Sequence, residues 1–74
     1  MKEAYSKAEL LHLARLKFHH APTSLILREL GRHTESSIDM AWANLRGDLP
    51  NAAELMREVA DELDGDPYFE GWRI

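Results

Sequence analysis

The sequence contains no cysteine among its 74 residues. This absence excludes disulfide bonds and thiolate metal sites, and it is typical of proteins in a reducing cytosolic environment. Long apolar runs are also missing, so no segment reaches the roughly 20 residues that a membrane-spanning helix needs. The N-terminal residues include Lys2 and Glu3 and lack the apolar stretch of a secretory signal. We therefore expect a protein without membrane contact, in the cytoplasm or associated with the nucleoid.

Catalytic motifs are absent as well. There is no glycine-rich phosphate-binding loop, and no serine lies in the sharp turn that presents a hydrolase nucleophile. The four histidines do not occur with carboxylates at a spacing typical of metal ligands. We predict a protein without enzymatic activity, and we expect no metal and no other cofactor.

Helix signals dominate the sequence, and strand signals are weak. Ser6 and Glu9 have the spacing of a capping box, in which each side chain accepts a hydrogen bond from the other residue's backbone amide. The apolar residues that follow indicate a buried first helix, which ends before Pro22 because the residue preceding a proline avoids the helical region. Thr23 or Ser24 can cap a short second helix.

Three glycines are expected to end the later helices. Gly31 predicts a left-handed end to the second helix, and Gly47 and Gly65 end the third and fourth. Thr34 can cap the third helix. The apolar stripe of this helix, spaced by three and four residues, comprises Ile38, Ala41, Trp42 and Leu45.

A fourth helix is predicted over 51–64, with Asn51 and Glu54 as a second capping pair. The segment 66–74 carries three aromatic residues, which either pack on the core or form an exposed docking peptide. We favour packing because a chain of this size needs the buried area. The sequence thus predicts one all-α domain over 1–74, with a trihelical core at 5–46, an acidic fourth helix and an aromatic tail.

Charge is divided unevenly along the chain. Residues 1–33 hold six basic and three acidic residues, whereas residues 34–74 hold three basic and ten acidic residues. The net charges are therefore +3 and −7. A basic first half can face phosphates, and an acidic second half has to face away from them or bind a basic partner.

The motifs around the third helix carry a resemblance to a known family. The segment 5–9, Tyr-Ser-Lys-Ala-Glu, resembles the opening of Myb/SANT-like domains, and Leu30-Gly31-Arg32 with Thr34, Ser37-Ile38 and Trp42 resembles their third-helix pattern. His33 is one extra residue in the turn. Residues 36–45 are also similar to the N-terminal module of some bacterial HNH restriction-type enzymes. The resemblance covers about residues 5–46 and implies a three-helix helix-turn-helix bundle, Myb- or homeodomain-like, here with an added C-terminal helix.

The resemblance implies that the third helix enters the DNA major groove in a regulatory role. The chain departs from the family where Asp39 and Met40 replace residues that are typically Lys and Asn. Asp can still accept a hydrogen bond from cytosine, but it loses the attraction to phosphate. The predicted DNA contacts are Lys7, Arg32, His33, Ser36, Ser37, Asp39, Met40, Asn44 and Arg46.

A second hypothesis places the function on the acidic side of the fourth helix. Carboxylates along a rigid helix can occupy phosphate-binding sites, so this side can imitate a nucleic-acid backbone and inhibit a nucleic-acid-binding enzyme, as some phage and mobile-element proteins do. SANT-type relatives that bind protein show that the scaffold permits this use. The same surface can serve a homodimer. The predicted partner-binding residues are Glu54, Glu58, Asp61 and Glu62.

Overall fold

The computed structural model describes residues 5–47 and 54–73, and this part of the chain contains four α-helices and no strand. Helix α1 spans Lys7–Phe18, α2 spans Thr23–Glu29, α3 spans Glu35–Arg46 and α4 spans Glu54–Gly65. A short 3₁₀ turn follows at Pro67–Phe69. The prediction of an all-α chain is confirmed for these residues. The predicted capping residue Asn51 lies outside them.

The caps of α1 and α3 form as their sequences predict. The amide of Glu9 donates to Ser6 Oγ at 3.1 Å, and the amide of Ser6 donates to Glu9 Oε1 at 3.0 Å, which completes the capping box. Thr34 Oγ1 accepts from the amide of Ser37 at 3.2 Å. Gly47 ends α3 with a left-handed φ of 82°. These contacts satisfy backbone groups that a helix end leaves without partners.

Two predictions about α2 are wrong. Its N-cap is Pro22, which makes no side-chain cap, and Thr23 is already the first helical residue. The extended backbone of Pro22 leads directly into the helix, as its fixed φ favours. Gly31 does not adopt the left-handed conformation, because the chain turns through Leu30 with φ −111° instead. At the end of α1, a non-glycine residue, His20, adopts positive φ at 57°.

Helix α1 lies at the centre of the described core. It packs against α3 and α4, which also pack against each other. Leu10, Leu13 and Ala14 on α1 are fully buried, and α2 adds Ile26 and the adjoining Leu30 to the same cluster. None of the described helices combines the length and apolar composition needed to cross a lipid bilayer.

The aromatic tail folds back on the helices, as predicted, and even its most exposed ring, Tyr68, contacts Phe18 and His19. Phe69 and Trp72 are buried, whereas Tyr68 is 53% exposed. Phe69 packs edge-on against Phe18, with ring centroids 5.3 Å apart. Trp72 lies against Trp42, with centroids 5.7 Å apart. The last described segment therefore completes the core beside α1 and α3.

Candidate functional site

The outward side of α3 stays open in the described part of the chain. Met40 is 56% exposed, Ser36 and Asp39 are exposed, and Asn44 and Arg46 are half-buried. This helix carries two carboxylates, on Glu35 and Asp39, against the single guanidinium of Arg46. The surface predicted to contact DNA is therefore accessible, but its own charge is negative, and a phosphate backbone repels such a surface.

Arg32, a predicted phosphate contact, forms an ion pair with α1. Its Nε donates to Glu9 Oε2 at 2.9 Å, and its Nη2 donates to Glu9 Oε1 at 2.5 Å. This paired geometry matches the planar fork of a guanidinium to a carboxylate. The hydrogen bonds from Arg32 lower the pKa of Glu9 from 4.5 to about 2. A phosphate that approaches Arg32 has to compete with an ionised carboxylate already in place.

His33 and Ser37 belong to an internal network. The His33 side chain is 1% exposed, and its Nε2 lies 2.9 Å from Glu9 Oε2. Its ring stacks on Tyr5 with centroids 3.8 Å apart and planes 5° from parallel. The Tyr5 hydroxyl is 3.0 Å from Ser37 Oγ, and burial raises the pKa of Tyr5. The side chains of these two predicted contacts thus join the start of α1 to the turn and first residues of α3.

Lys7 reaches across to α4. Its Nζ lies 2.8 Å from Glu62 Oε2 and 3.4 Å from Glu58 Oε1. The hydrogen bonds to Glu62 and Glu58 raise the pKa of Lys7. This cation, predicted from sequence to hold DNA phosphate, is committed to two of the four carboxylates predicted to bind a partner protein.

The outer side of α4 keeps an excess of negative charge. The helix carries five carboxylates and one guanidinium, that of Arg57. Glu54 and Asp61 are exposed, and neither forms an ion pair within residues 5–47 and 54–73. The four predicted partner-binding residues therefore divide into an inner pair, held by Lys7, and an outer pair that faces solvent.

A network at the end of α4 was missed by the sequence analysis. Asp64 Oδ1 accepts hydrogen bonds from Trp72 Nε1 at 2.9 Å and from Arg73 Nε at 3.0 Å. Arg73 also donates to Asp64 Oδ2 at 2.9 Å and to the Arg46 carbonyl at 3.0 Å. The hydrogen bonds from Arg73 and Trp72 lower the pKa of Asp64. The network fastens the aromatic tail to α3 and α4. A cluster of carboxylate, indole and guanidinium in one short stretch was its only sequence signal.

Among the described residues, no group of three or more histidine, aspartate and glutamate side chains is arranged to hold a metal ion. No family model, curated protein or solved structure matches the chain. The candidate surfaces are therefore argued from their own geometry and charge: an open but negatively charged side of α3, and an acidic side of α4.

Proposed function

We propose that the chain is a non-enzymatic protein-interaction module, which docks the acidic side of α4 on a basic surface of a partner protein. Glu54 and Asp61 provide the charges directed at the partner. Glu58 and Glu62 lie beside them and share Lys7. Docking of this kind brings together opposite charges, which raises the rate of encounter and selects against partners of like charge.

The observation that carries this proposal is the distribution of ion pairs. Arg32 and Lys7, the cations best placed by sequence to hold phosphate, contact Glu9, Glu58 and Glu62 instead. The outer carboxylates of α4 have no cation of the described chain within ion-pair distance. A cationic partner reaches these carboxylates without displacing a close ion pair of the described residues, and only the longer-range attraction between Asp61 and Arg73 competes with it.

The partner that best fits this surface is a nucleic-acid-binding protein. Residues seven apart on a helix lie about 10 Å apart on nearly the same side, so Glu54 and Asp61 form a short row of exposed negative charge beside the Lys7-bound Glu58 and Glu62. A row of this kind can occupy a groove that otherwise holds phosphates. The module would then inhibit its partner by competing with nucleic acid for the same groove.

DNA binding is the second candidate, and one observation favours it. The outer side of α3, with the polar Ser36 and Asp39 and the apolar Met40, is not covered by the described tail. In this proposal, residues 5–46 act as a helix-turn-helix unit, and α3 enters the major groove. Asn44 and Arg46 would supply the polar contacts towards the other end of the helix.

Two double variants with the same change in charge distinguish these functions. Glu54→Gln with Asp61→Asn neutralises the outer side of α4, and Glu35→Gln with Asp39→Asn neutralises α3. Each is titrated at about 50 mM salt against a fluorescent ten-residue lysine/arginine peptide and against mixed-sequence duplex DNA. Fluorescence polarisation reports the affinity, and circular dichroism confirms that each variant is folded.

For protein docking, the α4 variant is expected to bind the basic peptide roughly three- to tenfold more weakly, because each screened surface charge contributes about 0.2–1 kcal/mol. The α3 variant should bind the peptide as the parent does. For DNA binding, the α3 variant is expected to bind duplex more tightly, since two repulsive charges are removed. Equal losses of peptide affinity in both variants would show that only net charge matters, and would overturn docking through α4.

A further inference from the structure

A groove of about 700 Å³ lies where the end of α1, the middle of α3 and the tail meet. A groove of this size accommodates a small molecule. It is separate from the acidic side of α4, so the inference drawn from it does not depend on the proposed function. The residues that give it chemical character are Lys17, Phe18, His20, Trp42, Glu70 and Trp72.

One side of the groove is aromatic. Trp42 and Trp72 meet at an interplanar angle of 60°, with centroids 5.7 Å apart. Trp72 is fixed from behind, because its Nε1 donates to Asp64 Oδ1 at 2.9 Å. Trp42 is only partly buried. Trp72 is 5% exposed and the Arg73 guanidinium lies 4.7 Å from its ring centroid, so Trp42 is the ring of this pair that a planar ligand can reach for stacking.

The other side of the groove is basic, because two basic side chains lie at the end of α1. Lys17 is 25% exposed at its side chain, and its Nζ lies 3.9 Å from Asp39 Oδ1, at the outer limit of an ion pair. His20 is exposed on the next turn. An anion at this end of the groove gains a nearby ammonium group and an imidazole without breaking a short ion pair.

His20 has an unusual backbone conformation for a residue with a side chain. Its φ of 57° lies in the left-handed region, where a side chain is strained and glycine is not. The turn is held by hydrogen bonds from the His20 amide to the Lys17 carbonyl at 3.0 Å and from the Ala21 amide to the Leu16 carbonyl at 2.9 Å. Glycine would form this helix end at lower cost. Strained residues of this kind concentrate at functional sites, and here the strained residue carries an imidazole at a groove.

We propose that this groove binds a nucleoside monophosphate whose base carries an exocyclic amino group. The base stacks on Trp42, which packs on the buried Trp72 behind it. Lys17 and His20 hold the phosphate. Glu70, on the remaining side of the groove, accepts a hydrogen bond from the amino group, which is the role that a carboxylate takes towards an amino-bearing base. The three chemical features of the groove thus correspond to the three parts of one ligand.

Tryptophan fluorescence measures this binding directly, because the only two tryptophans of the chain line the groove. Adenosine monophosphate, adenosine, inosine monophosphate and inorganic phosphate are titrated into the intact chain with excitation at the red edge of the indole band. We expect saturable quenching by adenosine monophosphate, about tenfold weaker binding of adenosine, and no saturable effect of phosphate alone. Equal binding of adenosine and its monophosphate, or no quenching at millimolar ligand, overturns the proposal.

His20→Gly separates a ligand contact from a structural role. Glycine relieves the strain at positive φ, so Tm is expected to rise, while affinity for adenosine monophosphate falls several-fold because the imidazole is lost. Asp39→Asn is the matched variant with the opposite expected effect on affinity. It removes the carboxylate that competes for Lys17, so adenosine monophosphate should bind more tightly. Glu70→Gln should reduce the preference for adenosine over inosine monophosphate. Unchanged affinity in His20→Gly would overturn the assignment of this residue to the phosphate.

Discussion

The two charged residues in the first turn of α1 fasten the helix to opposite parts of the chain. Glu9 faces the turn before α3, where it pairs with Arg32 and His33, and Lys7 faces α4, where it pairs with two glutamates. The Glu9 side chain is 19% exposed and that of His33 is 1% exposed, whereas Arg32 is 46% exposed. The Lys7 side chain is 44% exposed, and its glutamate partners are still more open.

The difference between these junctions lies in how much water reaches them. Solvent weakens an exposed ion pair and allows its side chains other conformations, so the pair contributes little to stability. The Glu9 junction excludes more water, adds a stacked Tyr5 ring, and uses both carboxylate oxygens. The contacts of Glu9 should therefore contribute more to stability than the ion pairs of Lys7 do, although the buried Val59 and Leu63 also hold α4 in place.

Glu9→Gln is expected to cause the largest loss of stability among the tests of this comparison. Glutamine can still complete the capping box through its carbonyl oxygen, so the change removes the charge and the second acceptor oxygen, which Arg32 and His33 contact. We expect the free energy of unfolding to fall by about 1–3 kcal/mol, and Tm by roughly 5–20 °C for a domain of this size. Thermal denaturation followed by circular dichroism gives both values.

Arg32→Gln is the matched control for that prediction. If the ion pair is responsible, the double variant should lose less than the two single variants together, with a coupling of about 0.5–3 kcal/mol. Strictly additive losses would contradict the view that this contact holds the junction.

Acid titration tests the same junction without a mutation at Arg32. The pKa of Glu9 is about 2 in the folded chain, below its ordinary 4.5. A carboxylate whose pKa is lowered by folding contributes stability above its unfolded pKa and loses it as pH falls towards the folded pKa. We expect Glu9 to contribute about 1–3 kcal/mol at neutral pH, after allowance for solvent screening, and to lose this between about pH 4.5 and 2.

Asp64 also has a lowered pKa, so it contributes stability in the same direction as Glu9. Both the parent chain and Glu9→Gln contain Asp64, so the difference between their unfolding free energies reports the contribution of Glu9 alone. Urea denaturation at several pH values should show the two unfolding free energies converging as the solution becomes more acidic. A gap that stays constant down to pH 2.5 would contradict the assignment to Glu9.

The sequence predicted the parts of this fold that depend on neighbouring residues. The capping box of Ser6 and Glu9, the Thr34 cap and the left-handed Gly47 are local contacts, and all three form. The prediction for Gly31 was wrong because glycine permits a left-handed conformation without requiring it. At the end of α1, the hydrogen bonds of the turn impose positive φ on His20, although its residue type gave no such signal.

The candidate surfaces were less predictable because their charges pair over long sequence distances. Glu9 and Arg32 are 23 residues apart, and Lys7 and Glu58 are 51 apart. Spacing within one helix cannot show such contacts. His33 was predicted as a DNA contact in the turn before α3, whereas stacking on Tyr5 buries it. The candidate docking surface on α4 therefore depends on the carboxylates that stay outside these long-range pairs, which are Glu54 and Asp61.

Tyr5→Phe should cause a smaller loss than Glu9→Gln, because it keeps the ring that stacks on His33. The variant removes only the hydroxyl that contacts Ser37. A typical hydrogen bond contributes about 0.5–1.5 kcal/mol, and we expect a loss in this range by urea denaturation. Ser37→Ala should give a similar loss, and the double variant little more than either. A loss as large as that of Glu9→Gln would show that the hydroxyl contact between Tyr5 and Ser37 matters to the junction as much as the ion pair does.

Lys7→Gln should cause the smallest change, because both ends of its ion pairs are exposed to solvent. The dependence of Tm on salt concentration compares the ion pairs of the two junctions directly. At about 1 M salt the screening length falls to about 3 Å, so the exposed pairs of Lys7 should lose their effect while the less exposed Glu9 pair keeps much of its own. Tm of Lys7→Gln and of the parent should therefore converge with added salt, whereas Glu9→Gln should remain less stable than the parent. Convergence of both variants would mean that the two junctions are screened alike, and that the ion pairs of Glu9 contribute no more to stability than those of Lys7.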